Sequence, residues 1–285
     1  MIDETAEEIA DMQTHSSSVV AVKAAQALRE LTDREFPTVA EYTRTLERNS
    51  DALRRANRSH ASLHNTQREI VEAVRGGDPE TVEDAQVATE EAIDRVVREV
   101  EQGKRRAADA ATELLADAET ILTHDYSTTV LSALARAVED GTELTVYVTE
   151  ARPRYLGRKT ARRLAEFEEI ETKLIVDSAV GHVLANVDRV LTGMTCIVDG
   201  TLYNRVGTYP IAATATDLDV PVHVVGSSAK IVNGGFAFEN EYRAASEVMR
   251  EPAEGFGIEN PTYDATPTRL LDSVVTDEGT IDPPE

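Results

Sequence analysis

The chain has 285 residues, 41% of them hydrophobic, which is enough core for one large domain or two modest ones and excludes global disorder. It has no run of about 18 apolar residues, an acidic rather than basic and apolar N-terminus, and one cysteine, Cys196; these exclude a membrane span, a signal peptide and an internal disulfide, and fit a cytoplasmic location with no membrane partner. Read as repulsion, the net charge of -23, from 52 acidic and 29 basic residues, argues against direct nucleic-acid binding; read as adaptation to concentrated salt, it says little about partners. The acidic residues spread along the whole chain, and lysine is confined to Lys23, Lys104, Lys159, Lys173 and Lys230. That pattern points to a halophilic cytoplasm, where the Debye length falls to about 3 Å at 1 M salt and self-repulsion costs little.

Residues 1–118 read as a helical domain. Val19, Val20, Val22, Ala25 and Leu28 have helical spacing. Pro37 opens a second helix through Tyr42, Leu46 and Leu53, with Thr38 and Glu41 resembling a capping box. A third helix covers 60–74 and breaks at Gly76-Gly77. Asp78-Pro79 is a start signal, and the pattern predicts a long helix to about 119 with Val87, Ile93, Val97 and Val100 on one stripe.

From residue 119 to 285 the period changes. Short β-rich runs at 121–123, 144–148, 173–176, 189–192 and 222–225 alternate with helices near 127–140, 158–168, 178–186 and 207–218. Such spacing implies βαβ crossovers, so the fold class is α/β: a helical domain, then a Rossmann-like parallel-sheet domain. In such sheets ligands bind outside the carboxyl ends of the strands, so the loops at 123–127, 149–157, 177–179, 193–208 and 226–235 are the candidate site. The tail at 259–267 reads as turns, with a short helix over 269–274.

No G-x-G-x-x-G and no phosphate-binding G-x-x-x-x-G-K-[ST] occurs, so ordinary dinucleotide and nucleoside-triphosphate sites are unsupported. The loops are polar in other ways. His124 and Asp125 follow the first strand, with Ser127 as the expected N-cap of the next helix. Arg152 and Arg154 follow the second strand in an acidic chain, and suit a phosphate. Asp177 ends the third strand and suits sugar hydroxyls or a helix cap. Asn204 and Arg205 open another helix and suit an anion. His60 and His64 stand four apart, but no third ligand is evident, so no metal site is expected. Cys196, among Met194, Ile197 and Val198, reads as a buried small hydrophobe.

Taken in order, Ile121-Leu-Thr-His-Asp-Tyr-Ser127, Val146-Tyr-Val-Thr-Glu-Ala-Arg-Pro-Arg-Tyr-Leu-Gly157, Val176-Asp-Ser-Ala-Val-Gly181, the Tyr-Asn-Arg-Val-Gly-Thr ending at Thr208, and Asn260-Pro-Thr-Tyr-Asp-Ala-Thr-Pro267 with Val275-Thr-Asp-Glu-Gly279 resemble one family. It is the family of the regulatory alpha, beta and delta subunits of translation initiation factor 2B, which also holds the isomerases of ribose 1,5-bisphosphate and methylthioribose 1-phosphate. The resemblance covers nearly the whole chain. It implies no cofactor, a homodimer or hexamer formed through the C-terminal domain, a small phosphorylated ligand (nucleotide or sugar phosphate), and initiation factor 2 as a partner.

In the isomerases a cysteine after T-H and an aspartate in a G-A-D segment carry the proton transfers. Here those positions are Asp125 and Thr195, and a threonine hydroxyl is no general acid near neutral pH. The family's R-G-A-G segment reads His15-Ser16-Ser17-Ser18, its R-P-T segment Arg58-Ser59-His60, and its N-K-x-G-T segment Asn204-Arg205-Val206-Gly207-Thr208. The resemblance therefore implies a non-catalytic protein resembling the factor subunits, acting in or regulating translation initiation. Its ligand site would comprise His15, Ser16, Arg58, His124, Arg152, Asp177, Thr195, Asn204 and Arg205. The alternative is an aldose–ketose isomerase with altered residues, in which Asp125 and Asp177 carry the catalysis.

Overall fold

Tyr42, Leu46 and Leu53 recur at helical spacing, and Thr38 caps the run: its hydroxyl accepts the Glu41 N–H at 3.2 Å. The computed structural model describes residues 2–11, 16–232, 236–251 and 254–284. The chain divides into two compact units, Met1–Gln102 and Gly103–Glu285.

The first unit is helical: α1 (Ile2–Ala10), α2 (Ser17–Ala27), α3 (Val39–Ala56), α4 (Ala61–Gly76) and the start of α5 (Val82–Thr112). Leu28, Leu31, Leu46, Leu53, Leu63, Ile70 and Ile93 are fully buried together. Each contributes about 1.5–3 kcal/mol relative to exposure. Tyr42 donates to Thr89 at 2.7 Å inside this core, and burial raises its phenol pKa. Two expectations need correction. The start signal of α5 is Thr81, not Asp78-Pro79: Thr81 and Asp84 bond reciprocally as a capping box. The buried stripe runs through Ala85, Thr89, Ala92, Ile93 and Val96, while Val87 is half exposed.

The second unit, Gly103–Glu285, begins within α5. The last turns of α5, with Ala107, Ala108 and Ala111, share an apolar cluster with the sheet. The main sheet has seven strands: β1 (Thr120–Thr123), β2 (Leu144–Thr149), β3 (Ile170–Ile175), β4 (Arg189–Gly193), β7 (Val222–Val225), β10 (Ser273–Thr276) and β11 (Gly279–Ile281). Their order is β11-β10-β7-β4-β1-β2-β3, all parallel except the β10–β11 pair. Ile121 and Leu122 face opposite sides, as period-two side chains must, and each enters a separate apolar cluster. Helices α6 (Thr128–Glu139) and α7 (Leu156–Leu164) cover the Ile121 side; α8 (Val180–Val183) and α9 (Thr208–Asp217) cover the other.

A second sheet, in the order β8-β5-β6-β9, joins β5 (Cys196–Val198), β6 (Thr201–Arg205), β8 (Ile231–Val232) and β9 (Tyr263–Pro267). It occupies what reads from sequence as loop and turns. Asp199 (φ 44°) and Gly200 (φ 69°) turn the β5–β6 hairpin, and this Asp-Gly pair was the available signal. The helix expected over 269–274 is a single turn, Thr268–Leu270, followed by β10, whose Val274 and Val275 are fully buried. A short helix α10 (Ala245–Val248) lies between β8 and β9. No helix among the described residues is long and apolar enough to cross a membrane.

Candidate functional site

The strand order reverses between β1 and β4, so the crevice favoured by parallel sheets opens beyond their carboxyl ends. Asp125 stands just past β1 with φ +64°, a left-handed conformation that aspartate tolerates. Helix α7 fixes it there, because the Thr160 hydroxyl donates to the Asp125 carbonyl at 2.6 Å. Its carboxylate meets Arg205 at the end of β6: Arg205 Nε donates to Asp125 Oδ2 at 3.2 Å. Side-chain exposures of 9% for Arg205 and 12% for Asp125 make this a buried ion pair.

The Tyr263 ring lies under the Arg205 guanidinium, 5.0 Å from its centre. Burial pulls the Arg205 pKa down, but Asp125 and Tyr263 together hold it above its ordinary value. Burial pushes the Tyr263 phenol up to about 12 despite the neighbouring Arg205.

Beside this pair lies a narrow, nearly filled crevice lined by Arg152, Arg154, Arg205, Arg243, Glu247 and Asn260 among others. Four guanidinium groups in one cleft stand out in a chain of net charge -23. Asp177 shapes the rim. Its two oxygens accept the Ala151 N–H at 2.8 Å and the Arg152 N–H at 2.7 Å, clamping a loop in which Ala151 has φ +55°. Arg152 donates to the Val248 carbonyl at 3.0 Å. Burial lowers the Arg154 pKa, and repulsion from Arg243 and Arg205 lowers it further. Arg154 Nη1, Arg205 Nη1 and Asp125 Oδ1 are buried with no hydrogen-bond partner among the described residues.

The remaining expected site residues are placed as follows. His124 is buried between Thr149 Oγ1 at 2.6 Å and the Val206 carbonyl at 3.0 Å, so Nε2 carries a proton. Asn204 is buried and donates to Thr192 and Thr208, tying β4, β6 and α9 together. Thr195 is nearly buried at the turn after β4, with its backbone N–H on the Tyr203 carbonyl. At the start of α9, Asp264 Oδ2 accepts Gly207 N at 2.8 Å and Tyr209 N at 3.0 Å, so these backbone N–H groups are already taken.

In the first unit, Ser16 is the N-cap residue of α2 and Arg58 is exposed in the turn between α3 and α4. His15 lies outside the described residues. The basic run after Arg154 disperses, with Arg158 on Glu150 and Arg163 on Glu166 in exposed pairs worth little. Among the described residues, no group of three or more His, Cys, Asp or Glu is placed to hold a metal ion. Sequence reading missed Arg243, Glu247, Tyr263 and Asp264. Tyr263 and Asp264 lie in the 259–267 stretch that reads as turns, and the pairing of β9 with β6 brings them to the site.

Cys196 is fully buried, and burial pushes its thiol up to about 12 although Lys230 pulls the other way. It is neither thiolate nor accessible at neutral pH. Native protein is expected to leave a chromogenic thiol reagent unreacted at pH 8, and to release one equivalent on unfolding. Rapid native labelling would contradict this placement.

Residues 13–283 match the initiation factor 2 subunit family. The chain belongs to that family. A ribose 1,5-bisphosphate isomerase from Haloterrigena turkmenica is 33% identical over 99% of this chain and 90% of its own. A methylthioribose-1-phosphate isomerase from Pelotomaculum thermopropionicum is 31% identical over 92% of this chain and 76% of its own. The crystal structure of a Pyrococcus horikoshii translation initiation factor eIF-2B superposes with a TM-score of 0.84 at 25% identity, covering 99% of this chain and 97% of that one. The family thus spans isomerases and initiation-factor subunits. The helical unit followed by a mostly parallel sheet is its fold.

Proposed function

We propose that this family member binds a phosphorylated sugar in its second unit and sides with the sugar-phosphate isomerases of its family. The observation that carries the reading is the Asp125–Arg205 pair, whose arginine also lines the arginine-rich crevice. A carboxylate accepts from sugar hydroxyls, and guanidinium groups match phosphate oxygens in charge and fork geometry. The full-length similarity to ribose 1,5-bisphosphate isomerases supports the same ligand class. A role in translation initiation, with initiation factor 2 as partner, is the less supported reading. It rests on the family's other branch.

Whether binding is followed by isomerisation turns on Asp125. If the relatives' activity extends to this chain, Asp125 is the group placed to move a proton between neighbouring carbons, with Arg205 stabilising the enediolate oxygen. Asp177, committed through both oxygens to the 151–152 backbone, is unsuited to that work.

The test runs in concentrated KCl. Thermal shift with ribose 1,5-bisphosphate, methylthioribose 1-phosphate and nucleotides is read beside product formation. Stabilisation by the sugar phosphates is expected; stabilisation by none of them rejects the reading. Turnover abolished by Asp125→Asn, with folding intact, assigns the chain to the enzymes. Stabilisation without turnover makes it a sensor.

A further inference from the structure

The arginine cleft already holds a carboxylate belonging to the chain itself. Glu247, on α10, accepts from Arg243 Nε at 2.9 Å and from Asn260 Nδ2 at 3.4 Å, and its Oε1 lies 4.0 Å from Arg154 Nε. Arg152 grips the same short helix through the Val248 carbonyl.

The arrangement is incompletely paired. One buried nitrogen each of Arg154 and Arg205 has no acceptor among the described residues, while the Glu247 carboxylate reaches Arg243 and stands 4.0 Å from Arg154. A buried charged donor left without an acceptor is costly, so the cleft favours an anion with more oxygens and more charge than one carboxylate supplies. The helix that carries Glu247 is weakly anchored. None of its residues is buried, and Val248 and Met249 are 38% and 41% exposed. Segments with so few buried apolar contacts open at low free-energy cost.

We propose that Arg154, with Arg205 and Arg243, forms a phosphate subsite that Glu247 occupies as an internal stand-in, and that an entering phosphate displaces Glu247 and releases α10. The inference rests on the phosphorylated-ligand reading. It adds a selecting residue, Arg154, and a closing residue, Glu247, that the reading does not require. Glu247 then sets the affinity threshold: a neutral or singly charged ligand gains too little to displace it.

The experiment is calorimetric titration of the full chain with inorganic phosphate at fixed KCl, using wild type, Glu247→Gln, Arg154→Met and Arg154→Lys. Glu247→Gln removes the competing charge and is expected to bind phosphate about tenfold more tightly. Arg154→Met loses a charge-assisted contact and is expected to bind about tenfold or more weakly, with Arg154→Lys intermediate. Phosphate should also speed hydrogen exchange at the Glu247 and Met249 amides, which close α10. Unchanged or weaker binding by Glu247→Gln, or unchanged binding by both Arg154 variants, overturns the proposal. Should Arg154→Met fail to fold, Arg154→Lys and Glu247→Gln still decide it. Phosphate binding with the expected variant pattern but no preference for sugar phosphates would instead reject the sugar-phosphate reading and leave this subsite standing.

Discussion

Arg205→Met is expected to lower the unfolding free energy by about 3–5 kcal/mol, because it strands the Asp125 carboxylate in a buried setting. The pair is not itself a large source of stability. Removing two charges from water offsets most of their attraction, and the cost appears when one partner is deleted. Three consequences separate this account from a surface ion pair. First, the loss persists in concentrated KCl, since buried pairs are screened far less than exposed ones. The exposed Arg163–Glu166 pair, at 60% and 57% exposure, should by contrast show no measurable effect when Arg163 is replaced. Second, Arg205→Met combined with Asp125→Leu should recover most of the loss, because both charges then leave together. Third, Asp125→Asn should cost less than Arg205→Met, since the amide oxygen still accepts from Arg205. Chemical unfolding in KCl measures all of these. A loss under about 1 kcal/mol for Arg205→Met would mean that Asp125 reaches water and that the pair is not buried.

Gly157→Ala is expected to destabilise the protein by about 3 kcal/mol or more, the upper end of overpacking. Helix propensity alone predicts the opposite sign, since alanine in a helix is favoured over glycine by about 1 kcal/mol. Gly157 is the second residue of α7, buried against the end of β2. A Cβ there would stand 1.7 Å from the Thr149 carbonyl oxygen and 3.1 Å from the Glu150 carbonyl carbon. Backbone cannot swing aside as a side-chain tip can, so α7 must move. That motion would also shift Tyr155 and the loop carrying Arg152 and Arg154, so weaker phosphate binding should accompany the lost stability. Gly76, at the end of α4, is the internal control. A Cβ on Gly76 would meet nothing within 4 Å, so Gly76→Ala should be neutral or stabilise by up to about 1 kcal/mol. A stabilised Gly157→Ala protein would show that α7 does not sit against β2 as described.

Several elements are legible because their cause is local. β1, β2, β4 and β7 are short β-branched runs between helical segments, and Thr38 and Ser127 cap the helices expected of them. β9 is not legible, since Tyr263–Pro267 contains Asp, Thr and Pro and reads as turn until β6 pairs with it. β10 passes for a helix because Leu270, Leu271 and Val274 mimic helical spacing over too short a run to discriminate. Of the candidate site, Asp125 and Arg205 stand out separately in the sequence. Their pairing does not, because 80 residues separate them and two different sheets deliver them. Asp177 reads as a contact to sugar hydroxyls or a helix cap; that it also braces the loop at 151–152 is visible only from its backbone partners.

By itself, then, the sequence determined the alternation of helix and strand, the α/β class, the family, and the chemical types available at the strand ends, including a carboxylate at 125 and no thiol beside it. These follow from spacing, capping and residue type, which act over a few positions. Only the tertiary structure decided which charges meet. Hydrogen bonds and ion pairs reach about 3 Å, so whether Arg205 neutralises Asp125, whether Asp264 takes the N–H groups at 207 and 209, and whether Glu247 closes the arginine cleft depend on strand order and on the packing of α7, β6 and β9.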